Sequence, residues 1–284
     1  MQMVTALRLG RVSNLPTVWS NVLAGVALSG ADPLGASTPA LLLSLSLFYV
    51  AGMYLNDAFD ADYDRRFRPE RPIPSGEVTS TLVFALGFAL LAGGWALLFL
   101  ASIPSLATPA AGAALAAAIL IYDAWHKGNP ISPLLMGLCR LLAYVSAGYS
   151  VTNAPPAGLW IAAGASLCYL IGLTYAAKQE SLLRLTSLWP LLFLAVPLVW
   201  GAVAVPTAPA VLLPLIALAA WAVHAVRLLL VGGAAIPRAV VALIAGISLV
   251  DATFVAATGH LIAAALCVGA FALTLRLQRQ IAGT

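Results

Sequence analysis

The sequence predicts an all-α fold, a polytopic bundle of nine or ten transmembrane helices. Hydrophobic residues make up 62% of the chain and charged residues only 8%, which is far outside the range of soluble proteins. Apolar runs recur along the whole chain, each near the ~20 residues that cross a hydrocarbon core of about 30 Å. Because only short polar loops separate these runs, we expect one integral membrane domain over residues 1–284.

Ten apolar runs are the candidate helices. In chain order they lie near residues 12–31, 37–56, 79–101, 105–122, 131–150, 156–177, 186–204, 208–230, 236–257 and 260–276. The segment before the first run has basic residues but no cleavage site of small residues, so we expect it to lead into the first span and not to be a signal peptide. Joining the last two runs into one span gives nine helices in place of ten.

The positions of the basic residues predict the topology, because short cytoplasmic loops of membrane proteins collect Lys and Arg. With ten spans and a cytoplasmic N-terminus, every basic loop residue falls on the cytoplasmic side, including the cluster over residues 65–71. With nine spans, Arg276 and Arg279 would lie outside, which the rule disfavours without excluding it. We therefore expect an integral protein of the cell inner membrane with both termini in the cytoplasm.

Composition and motifs exclude several function classes. The net charge of +4 follows from this cytoplasmic bias and provides no basic, aromatic-rich surface for nucleic acid. The three cysteines lie singly within predicted spans, so disulfides are not expected and no CxxC metal spacing exists. The sequence also contains no Gly-rich phosphate loop, HExxH motif or Ser nucleophile elbow.

Half of the acidic residues lie in one stretch after the second apolar run, NDAFDADYDRRFRPERPIPSG. If the helix continues past Leu55, then Asn56, Asp60 and Asp64 recur every four residues and share a face, with Asp57 beside them. Like charges at this spacing repel one another, so a compensating cation is expected. Ligand sets made only of oxygen atoms suit Mg²⁺.

The Arg-rich run RRFRPERP follows at once, and Arg side chains match phosphate oxygens bidentately. Acids for metal and Arg for phosphate predict a pyrophosphate site at the cytoplasmic rim. The alternative is a solvated connector whose Arg residues set the topology or pair with the Asp residues. The repeat of acidic residues led by Asn favours the site.

The pattern N-D-x-x-D-x-x-x-D followed by R-P-x-R-P-x-x-x-G resembles the first signature of the UbiA superfamily of intramembrane prenyltransferases. The segments YDAWHKGNP and ALRLGRVSNLPTVWSNVLAG are similar to the family's Tyr and Lys pair and to its first helix. This resemblance implies a central, lipid-accessible cavity where two acidic loops hold Mg²⁺ on a prenyl diphosphate. The allylic carbon–oxygen bond of the diphosphate ionises, and a hydrophobic acceptor captures the cation.

By this resemblance Asn56, Asp60 and Asp64 hold metal, while Arg71 and Lys127 contact phosphate. The candidate site residues are Asn56, Asp57, Asp60, Asp64 and Glu180 for metal, Asp60, Asp64, Lys178 and Glu180 for catalysis, and Arg11, Asn14, Arg68, Arg71, Tyr122, Lys127, Arg140 and Tyr175 for substrate binding.

The second signature departs from the family. In LIGLTYAAKQESLLRL, Lys178 is followed by Gln179 and Glu180, where the family shows several aspartates. Three outcomes are possible: Glu180 alone holds the second metal, or a single metal is enough for the reaction, or the pyrophosphate chemistry is lost. Alternatively, Lys178 and Glu180 form a snorkelling pair at a helix end. The pattern T-Y-x-x-K-Q-E resembles the EboC-like branch. The alternative function is a non-catalytic or transport-related UbiA-like protein that binds a lipid phosphate.

Two ionisable residues, Arg140 and Asp251, fall inside predicted spans. Such residues are costly in a membrane and usually face a cavity or a partner. Arg140 either leans into the cavity toward pyrophosphate or an acceptor carboxylate, or pairs with Asp251, or both residues are satisfied by backbone groups. Asp123, which follows Tyr122, either serves as a base or pairs with Lys127.

Overall fold

The protein is all-helical over residues 1–179 and 187–281, the parts of the chain that the computed structural model describes. This confirms the predicted fold class. The α-helices are α1 (Met3–Leu9), α2 (Leu15–Leu28), α3 (Thr38–Phe59), α4 (Ala61–Phe67), α5 (Ser80–Leu100), α6 (Ala107–Trp125), α7 (Ser132–Tyr149), α8 (Ala157–Lys178), α9 (Val196–Ala204), α10 (Leu212–Val231), α11 (Ala235–Ala257) and α12 (Leu261–Gln278).

A helix occurs at each predicted apolar run, but the helices differ in length. In the described ranges, seven helices are long and apolar enough to cross a membrane, which fits an integral membrane protein. Helix α2 has only 14 residues. At the seventh predicted run, a 3₁₀ segment (Trp189–Ala195) precedes the nine-residue α9, and Pro190 and Pro197 each remove a backbone donor there.

Helix α11 is the central element of the bundle. It is buried along nearly its whole length and packs against α2, α8, α10 and α12. Helices α2 and α7 approach closely at Gly25, where an added Cβ would lie 2.8 Å from the Ala147 Cβ and 2.9 Å from the Tyr144 carbonyl oxygen. Small residues of this kind let helix backbones meet in membranes. The contact fixes the relative position of α2 and α7.

The helices enclose a cavity of about 680 Å³, with walls from α2, α3, α6, α7, α8 and α11. One end, called the rim below, is lined by charged residues at the C-terminal ends of three helices, namely Asp60 after α3, Lys127 after α6 and Lys178 on α8. The other end, called the inner half, is lined mainly by apolar residues such as Leu45 and Leu115. The cavity therefore joins a polar mouth to an apolar interior.

Candidate active site

The acidic motif lies where α3 meets α4. Backbone hydrogen bonds join Asp60 N to Asn56 O at 2.9 Å, Asp64 N to Asp60 O at 2.8 Å and Arg68 N to Asp64 O at 2.8 Å. Helical spacing thus continues past Leu55, as the sequence predicts. Asp60 is the C-cap residue of α3 and also the N-cap residue of α4.

Arginine side chains compensate two of the acids in this motif. Arg71 Nη1 lies 2.9 Å from Asp64 Oδ2 and 3.2 Å from Asp57 Oδ1. Arg11 Nη2 approaches the same Asp57 oxygen at 3.1 Å. Asp57 and Asp64 do not line the cavity, whereas Asn56 and Asp60 do. The motif therefore divides into two residues that face the cavity and two that hold Arg71, which lines the cavity itself.

Asp60 is the carboxylate at the centre of the rim. Its Oδ2 lies 2.9 Å from Lys127 Nζ and 3.4 Å from His126 Nε2, and Lys127 also sits over the Tyr63 ring, 3.8 Å from the centroid. Burial acts to raise the pKa of Asp60, but hydrogen bonds from His126 and Lys127 more than offset it, so that pKa lies below its ordinary value. Lys127 is thus the partner of Asp60, and the predicted alternative of a pair between Lys127 and Asp123 is not formed.

Asp123 lines the cavity beside the motif. Its Oδ1 accepts a hydrogen bond of 3.2 Å from Asn56 Nδ2, and its buried Oδ2 has no hydrogen-bond partner in the described residues. Because the Asn56 nitrogen points to Asp123, its amide oxygen remains as an acceptor. Sequence analysis placed Asp123 in this region but did not include it among the metal ligands.

The predicted second motif is only partly described. Lys178 lines the cavity and donates to Asn129 O at 2.7 Å and to Ser132 Oγ at 2.9 Å. Tyr175 does not line the cavity, and its hydroxyl donates to Ser187 O at 3.0 Å. Its neighbour Thr174 lines the cavity instead, because each residue turns the helix by about 100°. Glu180 lies outside the described residues.

The first helical region supplies two more predicted wall residues, Arg11 and Asn14, and both line the cavity. Arg11 has a φ of 40°, a left-handed conformation that costs a non-glycine residue about 1–2 kcal/mol. The Tyr49 hydroxyl donates to the Arg11 carbonyl at 3.1 Å. Asn14 Oδ1 accepts from Gln278 Nε2 of α12 at 3.0 Å. The chain thus holds a strained Arg11 against the rim.

The inner half contains one charged wall residue among those described, Arg140. Its Nη2 lies 2.8 Å from Asp251 Oδ2 and 2.7 Å from Thr17 O. Asp251 is fully buried and also accepts hydrogen bonds from Ser20 at 2.5 Å and from Tyr144. Arg140 therefore forms the predicted pair with Asp251 and also lines the cavity, while its contact with pyrophosphate or an acceptor carboxylate stays a prediction.

The remaining predicted substrate-binding residues also line the cavity, namely Arg68, Arg71 and Tyr122. Tyr122 stacks on His126 with ring centroids 5.0 Å apart. Sequence reasoning missed Thr17 and Asn21, which line the cavity from α2. The spacing of Asn14, Thr17 and Asn21 by three and four residues was the available signal, because it marks one polar helix face.

The oxygen atoms at the rim are suited to coordinate a magnesium ion that also binds phosphate. Asn56, Asp60 and Asp123 offer oxygen atoms to the cavity, and Asp123 Oδ2 is buried without a partner among the described residues. Within those residues, no three His, Cys, Asp or Glu side chains converge into a metal centre made by protein ligands alone. Mg²⁺ commonly binds through one or two carboxylates, with waters and substrate phosphates completing its shell. The site matches that pattern.

Curated relatives of the chain are archaeal enzymes named digeranylgeranylglyceryl phosphate synthase. That of Methanothrix thermoacetophila is 31% identical over 130 residues, covering 45% of this chain and 48% of the relative. That of Methanopyrus kandleri is 30% identical over 173 residues, covering 58% of this chain and 59% of the relative. The chain thus spans about half the length of the curated relatives it matches.

A solved structure from work on digeranylgeranylglyceryl phosphate synthase in membranes has the same fold. It aligns with a TM-score of 0.63 over 89% of this chain and 97% of the other, at 19% sequence identity. The EboC-like branch stays a prediction. The sequence profile of the UbiA prenyltransferase family matches residues 15–232, which is most of the chain, and the protein therefore belongs to that family.

Proposed function

We propose that the protein is a Mg²⁺-dependent prenyltransferase that moves an isoprenyl group from a prenyl diphosphate to a hydrophobic acceptor. The observation that carries this proposal is the rim, where oxygen ligands and phosphate-binding cations surround the mouth of an apolar cavity. The charged rim can bind a diphosphate, and the apolar inner half can bind an isoprenoid chain. The family and the names of its relatives support the same chemistry.

Cations that line the rim can bind the diphosphate directly, among them Arg68, Arg71, Lys127 and Lys178. Lys127 exchanges part of its contact with Asp60 for the phosphate oxygens, and Lys178 donates from its position beside Ser132. When the allylic carbon–oxygen bond breaks, its electron pair leaves with the diphosphate. Fixed positive groups around that leaving group stabilise the charge that develops there.

Asn56, Asp60 and Asp123 would hold Mg²⁺, while Asp57 and Asp64 would keep Arg71 in place at the cavity wall. Bound Mg²⁺ neutralises diphosphate charge and makes it a better leaving group. We propose Glu180, two positions after Lys178 in the sequence and outside the described residues, as a further metal ligand.

The inner half of the cavity takes the isoprenoid chain and keeps water from the allylic cation. Its walls include Phe48, Leu115, Ile119, Leu170 and Ile247. A volume of about 680 Å³ lies in the usual range for ligand pockets. The acceptor then forms a bond to the allylic carbon and loses a proton.

We further propose that ten helices span the cell inner membrane, with the rim and both termini in the cytoplasm. The rim carries the Arg-rich segment over residues 65–71, and basic residues collect on that side. Reporter fusions at the two termini test this arrangement, and an external signal from either terminus contradicts it.

The acceptor panel follows from the relatives and from the family. Because the relatives are named for making digeranylgeranylglyceryl phosphate, an isoprenyl glyceryl phosphate is the first acceptor to supply. A phenol and a long-chain alcohol extend the panel to aromatic and neutral lipid acceptors.

Pyrophosphate release tests the proposal. Purified protein in nanodiscs receives Mg²⁺, geranyl, farnesyl or geranylgeranyl diphosphate, and the acceptor panel, beside an Asp60→Asn variant. Acceptor-dependent release that Asp60→Asn abolishes supports prenyl transfer. Tight diphosphate binding without release under any acceptor contradicts it and favours lipid-phosphate binding, the role that the thinned second motif suggests.

A further inference from the structure

The inner half of the cavity contains a polar group that prenyl chain binding does not require. Asn21 on α2 lines the cavity and is 1% exposed, yet both its amide nitrogen and its amide oxygen lack hydrogen-bond partners among the described residues. A buried polar group without a partner destabilises the folded state. Native structures keep such groups where a water or a ligand completes them.

Arg140 adds a second unpaired donor to the same region. Its Nη2 is held by Thr17 O and Asp251 Oδ2, while its buried Nε has no partner in the described part of the chain. Thr17 and Asn21 are four residues apart on α2 and share a face. The guanidinium therefore lies within about one helical turn of the Asn21 backbone, on the wall of the cavity.

The charge of Arg140 is matched before any ligand binds. Asp251 is fully buried, and its carboxylate accepts hydrogen bonds from Arg140, Ser20 and Tyr144. An anion placed beside this neutral pair would be a buried, uncompensated charge. A hydroxyl or carbonyl oxygen carries no such cost, and a hydroxyl both accepts and donates, as the Asn21 amide does.

The unpaired groups lie well below the rim. Asn21 follows Asn14 by seven residues, which is about 10 Å along a helix, and Arg140 follows Ser132 by eight, which is about 12 Å. A ligand group bound there is too deep to be the atom that attacks beside the diphosphate. It is a group that orients the acceptor.

We propose that Asn21 and Arg140 form a subsite for an uncharged hydroxyl or carbonyl oxygen of the acceptor, in the inner half of the cavity. The subsite rests on the proposed prenyl transfer in assigning this oxygen to the acceptor. Within the acceptor panel it favours the phenol over acceptors whose buried part is purely hydrocarbon, such as an isoprenyl glyceryl phosphate, and it disfavours those that would place a carboxylate or phosphate at this depth. The substrate class is thus an acceptor with a neutral oxygen remote from its reacting end.

Two probes of matched shape test the subsite by equilibrium binding, 2-naphthol and 2-naphthoate. Full-length protein in nanodiscs is titrated with each, and empty nanodiscs correct for partitioning into lipid. We expect saturable binding of 2-naphthol and at least tenfold weaker binding of 2-naphthoate. Equal or tighter binding of the carboxylate overturns the proposal.

Asn21→Leu removes both amide atoms at nearly constant volume and should weaken 2-naphthol binding about tenfold, as expected for the loss of one or two hydrogen bonds. Arg140→Lys keeps a cation for Asp251, removes the Nε donor, and should also weaken binding. Ser146→Ala is the matched control, because Ser146 Oγ is buried without a described partner but does not line the cavity. Unchanged binding in Asn21→Leu, or an equal loss in Ser146→Ala, rejects the subsite.

The binding test separates this inference from the proposed transfer. Asp60→Asn abolishes pyrophosphate release if the rim performs catalysis, but it should leave 2-naphthol binding unchanged. Loss of release with retained binding supports both proposals. Absence of release in the unaltered protein, with Asn21-dependent binding of 2-naphthol, contradicts the transfer and retains the subsite.

Discussion

At the rim, Arg71 divides its contacts between Asp57 and Asp64 and keeps 17% of its side chain exposed. In the inner half, Asp251 is fully buried and its partner Arg140 is only 9% exposed. Rim pairs can therefore exchange one partner for a substrate phosphate at modest cost, because water and neighbouring charges remain near. The pair of Arg140 and Asp251 cannot exchange a partner in this way, because a buried charge left without its partner has no other group to pair with. Similar ion pairs are thus suited to substrate exchange in one place and to stability in the other.

The largest effect should come from breaking the inner pair. Asp251→Leu leaves Arg140 buried without its carboxylate and should lower the free energy of unfolding by about 3–5 kcal/mol. Adding Arg140→Met removes the orphaned charge and should recover most of the loss. Thermal unfolding in detergent measures both variants. A double variant as unstable as the single one would show that the pair is not what holds α7 to α11.

The rim should respond far more in activity than in stability. Asp60→Asn keeps the shape of the side chain but removes its charge, and we expect pyrophosphate release to fall at least about 100-fold, or ~2.7 kcal/mol. Asp62→Asn is the matched control, since Asp62 is exposed, pairs only with Arg65 among the described residues and does not line the cavity. Equal rates for the two variants would remove Asp60 from the site.

A link between the rim and the last helix should have a smaller effect. Gln278→Leu removes the hydrogen bond to Asn14 and should lower the free energy of unfolding by about 1 kcal/mol. Gln280→Leu changes an exposed neighbour and should have no effect. Denaturation curves compare the free energies of unfolding of the two variants. Equal values would mean that α12 does not stabilise the rim through this contact.

The smallest effect should appear in acid. The folded pKa of Asp60 lies below its ordinary value of 3.8, so its contacts contribute stability above that pH and lose it as pH falls through the folded pKa. Melting temperatures between pH 6 and pH 3, in EDTA, should therefore fall more steeply for the unaltered protein than for Asp60→Asn. Parallel curves would mean that Lys127 and His126 do not stabilise the charged carboxyl.

Sequence reasoning succeeded where residues close in the chain act together. The acidic motif and its helical spacing were predictable because Asn56, Asp60 and Asp64 follow one another by single turns. Tyr175 was assigned to the site from a local pattern, but its neighbour Thr174 is the residue that lines the cavity. A rotation of about 100° per residue separates the two, and the sequence does not say which of them faces inward.

Contacts between distant segments were not predictable in the same way. Arg140 and Asp251 were recognised as unusual, but whether they pair depends on how α7 and α11 pack. Asn21 gave no signal by itself, since a single polar residue in an apolar helix is common at helix interfaces. Only the assembled walls of the cavity show that its amide has no partner among the described residues.

The pairing of Arg140 with Asp251 also constrains how the protein is made. The two residues are 111 positions apart in the chain, and ribosomes add about 5–20 residues per second. Arg140 is therefore synthesised roughly 5–20 s before its carboxylate exists. During that interval α7 carries an uncompensated cation. This charge favours a position of α7 near water or the insertion machinery until α11 is made. Membrane integration of this chain should accordingly finish late, when the central helix enters and completes the pair.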